Sequence, residues 1–227
     1  MIFDLLRDGF SFELVLNIGV RLFFIIFLLP VHEFAHAYVA TKLGDPTAKN
    51  MGRLTLNPLA HIDPIGSFLM LFAGFGYAKA VPVNIRNFRF EKRKRNMALI
   101  AFAGPFSNVI MAFIFAFFYF LLIKTGYGSN AFAGNLASIC MIATQCNVTL
   151  AVFNLLPIPP LDGSRILSLI IPDKYYYKIM QYERYILIGV LVLAATGALE
   201  VPLSFISNLI LRVIFVLYGT IFGLTIG

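Results

Sequence analysis

Two histidines and a glutamate, His32, Glu33 and His36, have the spacing of a metal site that activates water. Residues four apart lie on one face of an α-helix, with Cβ atoms about 5–6 Å apart. Both imidazoles can therefore reach one zinc ion at about 2.0–2.1 Å. Glu33 projects beside them and can take a proton from the attacking water, so the motif predicts metal-assisted hydrolysis. The alternative is two histidines hydrogen-bonded inside a helix bundle, with Glu33 as their partner.

A catalytic zinc usually has three protein ligands and one open position, so the histidine pair needs a third partner. The candidates are His61, Asp63, Asp45, Asp162 and Asp173. Asp162 is favoured, because the prolines before it hold the chain extended and Gly163 permits a sharp turn into the next helix. Its alternative role is the N-cap of a helix over 164–171. His61 and Asp63 are predicted to support the site from behind or to be structural.

The composition places this chemistry in a membrane. Of the 227 residues, 59% are hydrophobic and 13% are charged, and the mean hydropathy is +0.85. These values are typical of a polytopic membrane protein. The net charge of +7 could indicate nucleic-acid binding, but six of the 18 basic residues lie in one short loop between Arg86 and Arg95. Such a loop marks the cytoplasmic side and can contact anionic lipid headgroups, so we expect a lipid bilayer and no nucleic acid as partner.

The hydropathy pattern predicts an all-α polytopic protein with about five transmembrane helices. They are expected over residues 14–43, 97–123, 133–156, 185–199 and 203–226. A short glycine-rich stretch over 65–80 is predicted to be re-entrant. The charge bias puts 84–96 and 163–184 in the cytoplasm, which places the histidine motif toward the cytoplasmic half of the membrane. Arg21 lies inside the first span, and the sequence does not reveal its partner.

Residues 47–64 have mixed polarity. Arg53, Leu54, Thr55 and Leu56 alternate between polar and apolar side chains, and Asn57 is followed by proline. This pattern predicts a short strand or hairpin, a small β element embedded at membrane depth. Its edge, Arg53 to Asn57, could bind an extended peptide substrate by strand addition. An ordinary surface loop is an equal alternative.

Together the motifs resemble those of the site-2 protease family of intramembrane zinc metalloproteases. The similarity lies in His32-Glu33-x-x-His36, in Asn154-x-x-Pro157-x-Pro159-x-x-Asp162-Gly163, and in Gly52-Arg53-x-Thr55-x-Asn57-Pro58. The resemblance covers a core of about residues 15–171, within a single transmembrane domain over 1–227 that adds further helices over 185–226. It implies the compact form of the family, without a PDZ or CBS domain.

The resemblance implies one zinc ion per chain, held by His32, His36 and Asp162, with Glu33 as general base and acid. It also implies that Asn154 contacts the scissile carbonyl or its oxyanion. The implied reaction is hydrolysis of a peptide bond within or near a transmembrane segment of a membrane protein already cut by another protease. The small size of the chain favours a prokaryotic inner membrane.

Two other functions are compatible with these residues. A zinc-binding membrane scaffold without turnover would keep the fold and the metal, although every proposed catalytic group is present. A metal-ion transporter would carry histidines and acids along several spans or in inverted halves. The chain has one localised cluster and no internal symmetry, so transport is the weaker alternative.

Overall fold

The first membrane helix is long and contains one wider turn. The computed structural model describes residues 12–72, 77–125 and 131–224. Helix α1 (Phe12–Phe23) runs through a π turn (Phe24–Leu28) into α2 (Leu29–Lys42). The N–H of Leu29 bonds to the carbonyl of Phe24, five residues back. Pro30 follows, and because its ring would clash with the carbonyl four residues back in an α-helix, the wider turn accommodates it.

Eight further α-helices follow in the described part of the chain. They are α3 (Thr47–Asn50), α4 (Pro64–Phe72), α5 (Arg93–Lys124), α6 (Ala131–Asn154), α7 (Asp162–Leu167), α8 (Asp173–Met180), α9 (Glu183–Ala195) and α10 (Glu200–Phe222). Four stretches are long and apolar enough to cross a membrane: Ile18–Lys42, Phe90–Lys124, Ala133–Asn154 and Glu200–Phe222. The protein is therefore an all-helical, integral membrane protein, as predicted.

The prediction of about five spans is not supported, because four stretches of the described chain have the required length and hydropathy. The segment expected to span over 185–199 forms α9, which has 13 residues. Such a helix is about 20 Å long, whereas the hydrocarbon core of a bilayer is about 30 Å thick. Helix α4 has nine residues and is also no candidate span. The re-entrant path over 65–80 stays a prediction, and its residues 73–76 lie outside the described residues.

The predicted β element is also wrong, since residues 47–64 form α3, turns and a 3₁₀ turn (Pro58–Ala60), without a strand. Several backbone donors of this segment are used locally. The N–H of Arg53 bonds back to Ala48 across a turn in which Gly52 has a φ of 69°. The side chains of Thr55 and Asn57 accept N–H groups two residues ahead. Such local side-chain bonds compete with a strand ladder.

Helix α5 holds the fold together. It contacts α2, α6, α7 and α10. Its buried face carries small residues, among them Ala101, Gly104, Ala112 and Ala116. Small residues let membrane helices approach each other closely, because association there depends on van der Waals packing. Since α5 contacts both α2 and the short helix α7, it fixes the two elements that carry the metal-binding motifs.

Arg21 has its partner at the end of α4. Its Nη1 donates to the carbonyl oxygens of Leu71, at 2.7 Å, and Met70, at 3.4 Å. These carbonyls belong to the last turn of α4, where a cation interacts favourably with the helix dipole. The cation inside the first span therefore attaches the short helix to α1.

We expect Arg21→Leu to loosen α4, because a hydrogen bond to a charged group contributes about 1.5–3 kcal/mol. Hydrogen–deuterium exchange of the detergent-solubilised protein should become at least roughly tenfold faster across residues 64–72. The matched control is Arg212→Leu, since Arg212 is exposed on α10. Equal exchange in the wild type and Arg21→Leu would contradict the anchoring role.

Asp45 fixes the chain that follows α2. Its buried carboxylate accepts hydrogen bonds from Thr47 N–H at 3.1 Å, Thr47 Oγ1 at 2.5 Å, Asn84 N–H at 2.7 Å and Asn87 Nδ2 at 2.6 Å. Burial by itself would raise the pKa of Asp45, but these hydrogen bonds bring it below its ordinary value. The ionised carboxylate therefore joins the end of the first span to the start of the basic loop.

We expect Asp45→Asn to lower the free energy of unfolding by about 1–3 kcal/mol at neutral pH. Because the folded-state pKa is depressed, the stabilisation is present above the unfolded-state pKa of about 3.9 and is lost as the pH falls through the folded-state value. Thermal unfolding of both proteins across a pH series checks this. A difference that stays constant down to the lowest pH at which the fold persists would contradict it.

Candidate metal centre

Three side chains from two distant parts of the chain converge at one point. His32 and His36 project from α2, and Asp162 is the first residue of α7. The Nε2 atoms of the two histidines lie 3.0 Å apart, and each lies 3.3 Å from Oδ2 of Asp162. The imidazoles are buried, with exposures of 4% and 7%. The structure therefore brings these three predicted ligands together as a possible metal-binding group.

The spacing of these atoms fits a zinc ion. A tetrahedral zinc with bonds of about 2.0–2.1 Å separates neighbouring ligand atoms by roughly 3.3 Å. The three separations are 3.0, 3.3 and 3.3 Å. Oδ2 of Asp162 is buried and has no hydrogen-bond partner among the described residues. A cation would satisfy this oxygen, and two imidazoles with one carboxylate are a ligand set of the catalytic type.

The charge of Asp162 suits it to bind a cation. Burial by itself would raise the pKa of this carboxyl, but the adjacent imidazoles of His36 and His32 bring it below its ordinary range. The group is therefore ionised at neutral pH. An ionised carboxylate is the form in which aspartate binds a metal ion.

Helix α5 contacts the outer nitrogen of each imidazole. Nδ1 of His36 lies 2.7 Å from the carbonyl oxygen of Ile100, to which it donates its proton. Nδ1 of His32 lies 3.1 Å from the side-chain amide of Asn108. Contacts of this kind fix the orientation of a metal-binding imidazole and determine which nitrogen carries the proton.

Two glycines allow these close approaches. A Cβ atom at Gly104 of α5 would lie 2.6 Å from Cε1 of His32 and closer still to Nε2 of His36. A Cβ atom at Gly163 would overlap the carbonyl oxygens of Leu155 and Leu156. Gly104 therefore leaves the space that the imidazoles fill, and Gly163 lets α7 begin directly against the end of α6.

The three side chains face a cavity of about 320 Å³. Glu33, which is buried beside the histidines, lines the same cavity. So does Asn154, whose Nδ2 donates to the carbonyl of Leu150 at 3.0 Å. Arg165, one turn after Asp162 on α7, also lines it. The cavity thus gathers a carboxylate, an amide and a guanidinium around the possible metal position.

The other third-ligand candidates have different contacts. His61 is fully buried, and its Nε2 lies 2.8 Å from the carbonyl of Thr55, to which it donates. Asp63 accepts the N–H groups of Ile65 and Gly66 at the start of α4. Asp173 pairs with Lys94 at 2.6 Å. Asp45 has the loop contacts described above. In the described chain none of these four belongs to the group around His32.

The residues predicted to bind substrate are absent from the described wall of the cavity. Leu54, Thr55, Leu56 and Asn57 are not among the described lining residues, and neither is Arg53. Arg53 is buried and donates Nη2 to the carbonyls of Lys79 and Ala80. The segment over 77–83, which is neither helix nor strand, lines the cavity instead. Burial lowers the pKa of the Arg53 guanidinium, and the negative charge of Glu33 partly opposes this lowering.

Sequence reasoning missed Asn108, Arg165 and the role of Gly104. Asn108 lies one helical turn beyond Gly104 and is a fully buried polar residue in an apolar span. Polar residues in such positions commonly face a functional interior, and this signal could have identified it.

Comparison with known proteins assigns the class. A family model described as peptidase family M50 matches residues 122–195. YwhC of Bacillus subtilis, which bears the name of a zinc metalloprotease, is 48% identical over 169 residues, covering 73% of this chain and 75% of YwhC. MJ0611 of Methanocaldococcus jannaschii, similarly named, is 34% identical over 153 residues, covering 65% and 71%. Rip2 of Mycolicibacterium smegmatis is 31% identical over 140 residues, covering 60% and 51%. No solved structure matches the chain.

A buried group of two histidines and an aspartate inside a helical membrane protein, together with these relatives, defines a zinc metalloprotease. The chain belongs to peptidase family M50, the site-2 protease family. The range matched by the family model contains Asn154 and Asp162, while the histidine motif lies before it. The family assignment confirms the resemblance stated from the motifs.

Replacing Gly104 tests the close approach of α5. We expect Gly104→Ala to displace the imidazoles and to weaken zinc binding at least roughly tenfold, because the new methyl group would occupy their position. Zinc per chain, measured by atomic absorption after dialysis against a weak chelator, checks this. Gly189→Ala is the control, since a Cβ atom there meets nothing within 4 Å. Full zinc occupancy in Gly104→Ala would contradict the packing argument.

Proposed function

We propose that this zinc metalloprotease hydrolyses a peptide bond within or near a transmembrane segment of a membrane-protein substrate. The observation that carries the proposal is the position of the site. His32, Glu33 and His36 all lie within the candidate membrane span Ile18–Lys42. A cavity at that position is reached most directly by a peptide that itself enters the bilayer.

The side chains around the cavity have distinct roles in this proposal. His32, His36 and Asp162 hold one zinc ion, which when bound supplies a Lewis acid that polarises the scissile carbonyl and activates the attacking water. Glu33 takes a proton from that water and later donates it to the leaving amine. Asn154 uses one amide hydrogen for Leu150, and its second can stabilise the negative charge that develops on the carbonyl oxygen.

The segment over 77–83 is the proposed substrate-binding edge. A transmembrane helix keeps its carbonyls in its own hydrogen bonds, so the substrate must unwind locally before cleavage. On one side, the N–H of Lys79 donates to the carbonyl of His61, and the carbonyl of Lys79 accepts a hydrogen bond from Arg53. The N–H groups of Ala78 and Ala80 have no partner among the described residues, so they can pair with an extended peptide by strand addition. Arg53 then supports this edge from behind.

The orientation of the site follows from charge. The ion pair between Lys94 and Asp173 joins the beginnings of α5 and α8. The basic segments 84–96 and 163–184, which contain these two residues, therefore lie at one membrane face. The cytoplasm is the side that such segments occupy, and the site then opens toward it.

The packing of α5 against α2, α6, α7 and α10 supports a single catalytic domain. Relatives in bacteria and an archaeon support a prokaryotic cell membrane.

The test compares the wild type with Glu33→Gln, purified in detergent and incubated with a model transmembrane peptide. We expect both proteins to contain one zinc ion per chain. The variant should cleave roughly 10²–10⁴-fold more slowly, which is the usual contribution of a general acid–base residue. Mass spectrometry of the products gives the rate and the cleaved bond. Glu200→Gln is the control, since Glu200 is exposed at the start of α10.

The alternatives give different results. Normal turnover by Glu33→Gln would refute Glu33 as the base. Zinc in the wild type without cleavage of a panel of transmembrane peptides would favour a zinc-binding scaffold. Absence of zinc from purified wild type, even after incubation with excess metal, would contradict the metal site itself.

A further inference from the structure

The contact on the outer side of His32 identifies a residue that orients its ligand atom. We propose that Asn108 is a positioning residue for His32: its amide oxygen accepts the Nδ1 proton of His32, which leaves Nε2 unprotonated toward zinc. Asn108 thereby sets the affinity of the site for the metal. This inference rests on the proposed ligand set of His32, His36 and Asp162.

The burial and bonding of Asn108 support this role. Its side chain is fully buried in α5. Its amide nitrogen Nδ2 lies 3.1 Å from Nδ1 of His32, and this is its one side-chain hydrogen bond in the described chain. Oδ1 is buried and has no partner among the described residues. No competing bond therefore prevents a half-turn of the amide, which exchanges Nδ2 and Oδ1 next to the imidazole.

The chemistry of a metal ligand selects the oxygen. A neutral imidazole carries a proton on one nitrogen and a lone pair on the other. Nε2 of His32 faces Nε2 of His36 and Oδ2 of Asp162, so its lone pair must be free when a cation binds there. The proton then resides on Nδ1, and an acceptor must lie opposite it. Nδ2 of Asn108 lies 3.1 Å from Nδ1 of His32, and a half-turn of the amide brings Oδ1 to that position, where it can serve as this acceptor.

His36 provides an internal comparison. Its Nδ1 lies 2.7 Å from the main-chain carbonyl of Ile100, which can only accept a hydrogen bond. The proton of His36 is therefore on Nδ1, and Nε2 is free. Ile100 and Asn108 are two helical turns apart on α5, on either side of Gly104, so one helix supplies both acceptors. For His36 the acceptor is main chain, and for His32 it is a side chain that substitution can remove.

The experiment measures zinc affinity by competition with a chromogenic chelator in detergent-solubilised protein. We expect Asn108→Leu, which keeps the size but removes the acceptor, to raise the zinc Kd about 10–100-fold. Asn108→Asp keeps an acceptor and should stay within about threefold of the wild type. The matched control is Asn147→Leu, because Asn147 is also fully buried and, among the described residues, its side chain bonds only to its own helix, at Ala143. Its zinc Kd should be unchanged.

Each outcome decides the proposal. A zinc Kd for Asn108→Leu within about threefold of the wild type would overturn it, as would equal weakening by Asn147→Leu or no rescue by Asn108→Asp. If the leucine variant does not fold, Asn108→Ala, which only removes atoms, gives the same measurement. His36→Ala distinguishes an error in the ligand set from an error in the role of Asn108. If it leaves zinc binding intact, the ligand set is wrong, whereas if it abolishes binding and Asn108→Leu does not weaken it, this inference alone is wrong.

Discussion

The missing side chain at Gly104 is the constraint on which the rest of the site depends. It lets the backbone of α5 lie directly against both imidazoles, where a single methyl group would overlap them. From that position the carbonyl of Ile100 and the amide of Asn108 reach the outer nitrogens of the histidines. The same helix contacts α7, which carries Asp162. One close helix contact thus positions all three candidate ligands.

The site divides its polar groups between two sides. On the outer side, α5 supplies a hydrogen-bond partner to each imidazole. On the inner side, three ligand atoms lie within 3.3 Å of one another, and the buried oxygen of Asp162 has no hydrogen-bond partner in the described chain. In a low-dielectric interior such unsatisfied groups are costly. A bound cation removes this cost. The unsatisfied oxygen of Asp162 therefore lowers stability without a cation and contributes affinity for one.

Features that depend on local spacing were predicted well from the sequence. His32 and His36 share a face because of helical periodicity, and Asp162 follows a run of prolines that hold the chain extended. Features that depend on tertiary contacts were not. Hydropathy marked residues 185–199 as a span, but the helix ends at Ala195 and is too short. Alternation at Arg53–Leu56 suggested a strand, but a turn uses the N–H of Arg53, and the side chain of Thr55 accepts the N–H of Asn57.

Asn108 and Arg165 show why the rest of the site could not be predicted. Neither belongs to the histidine or the aspartate motif by spacing alone. Asn108 reaches the site because α5 packs against α2. Arg165 reaches it because α7 contributes to the wall of the cavity. A single sequence reports which residues share a helix face, but it does not report which helix lies opposite. The candidate substrate edge over 77–83 also became recognisable only through its contacts with Arg53 and His61.

The π turn at Phe24–Leu28 determines the angular relation between the two halves of the first span. Each residue of an α-helix rotates the chain by about 100°, and a π turn takes one additional residue to complete its circuit. Side chains after the turn are therefore rotated relative to those before it. Arg21, before the turn, faces the end of α4, while His32, after it, faces α5. One continuous helix can thus direct a cation and two imidazoles toward different protein neighbours, because the π turn before Pro30 offsets the helical phase between them.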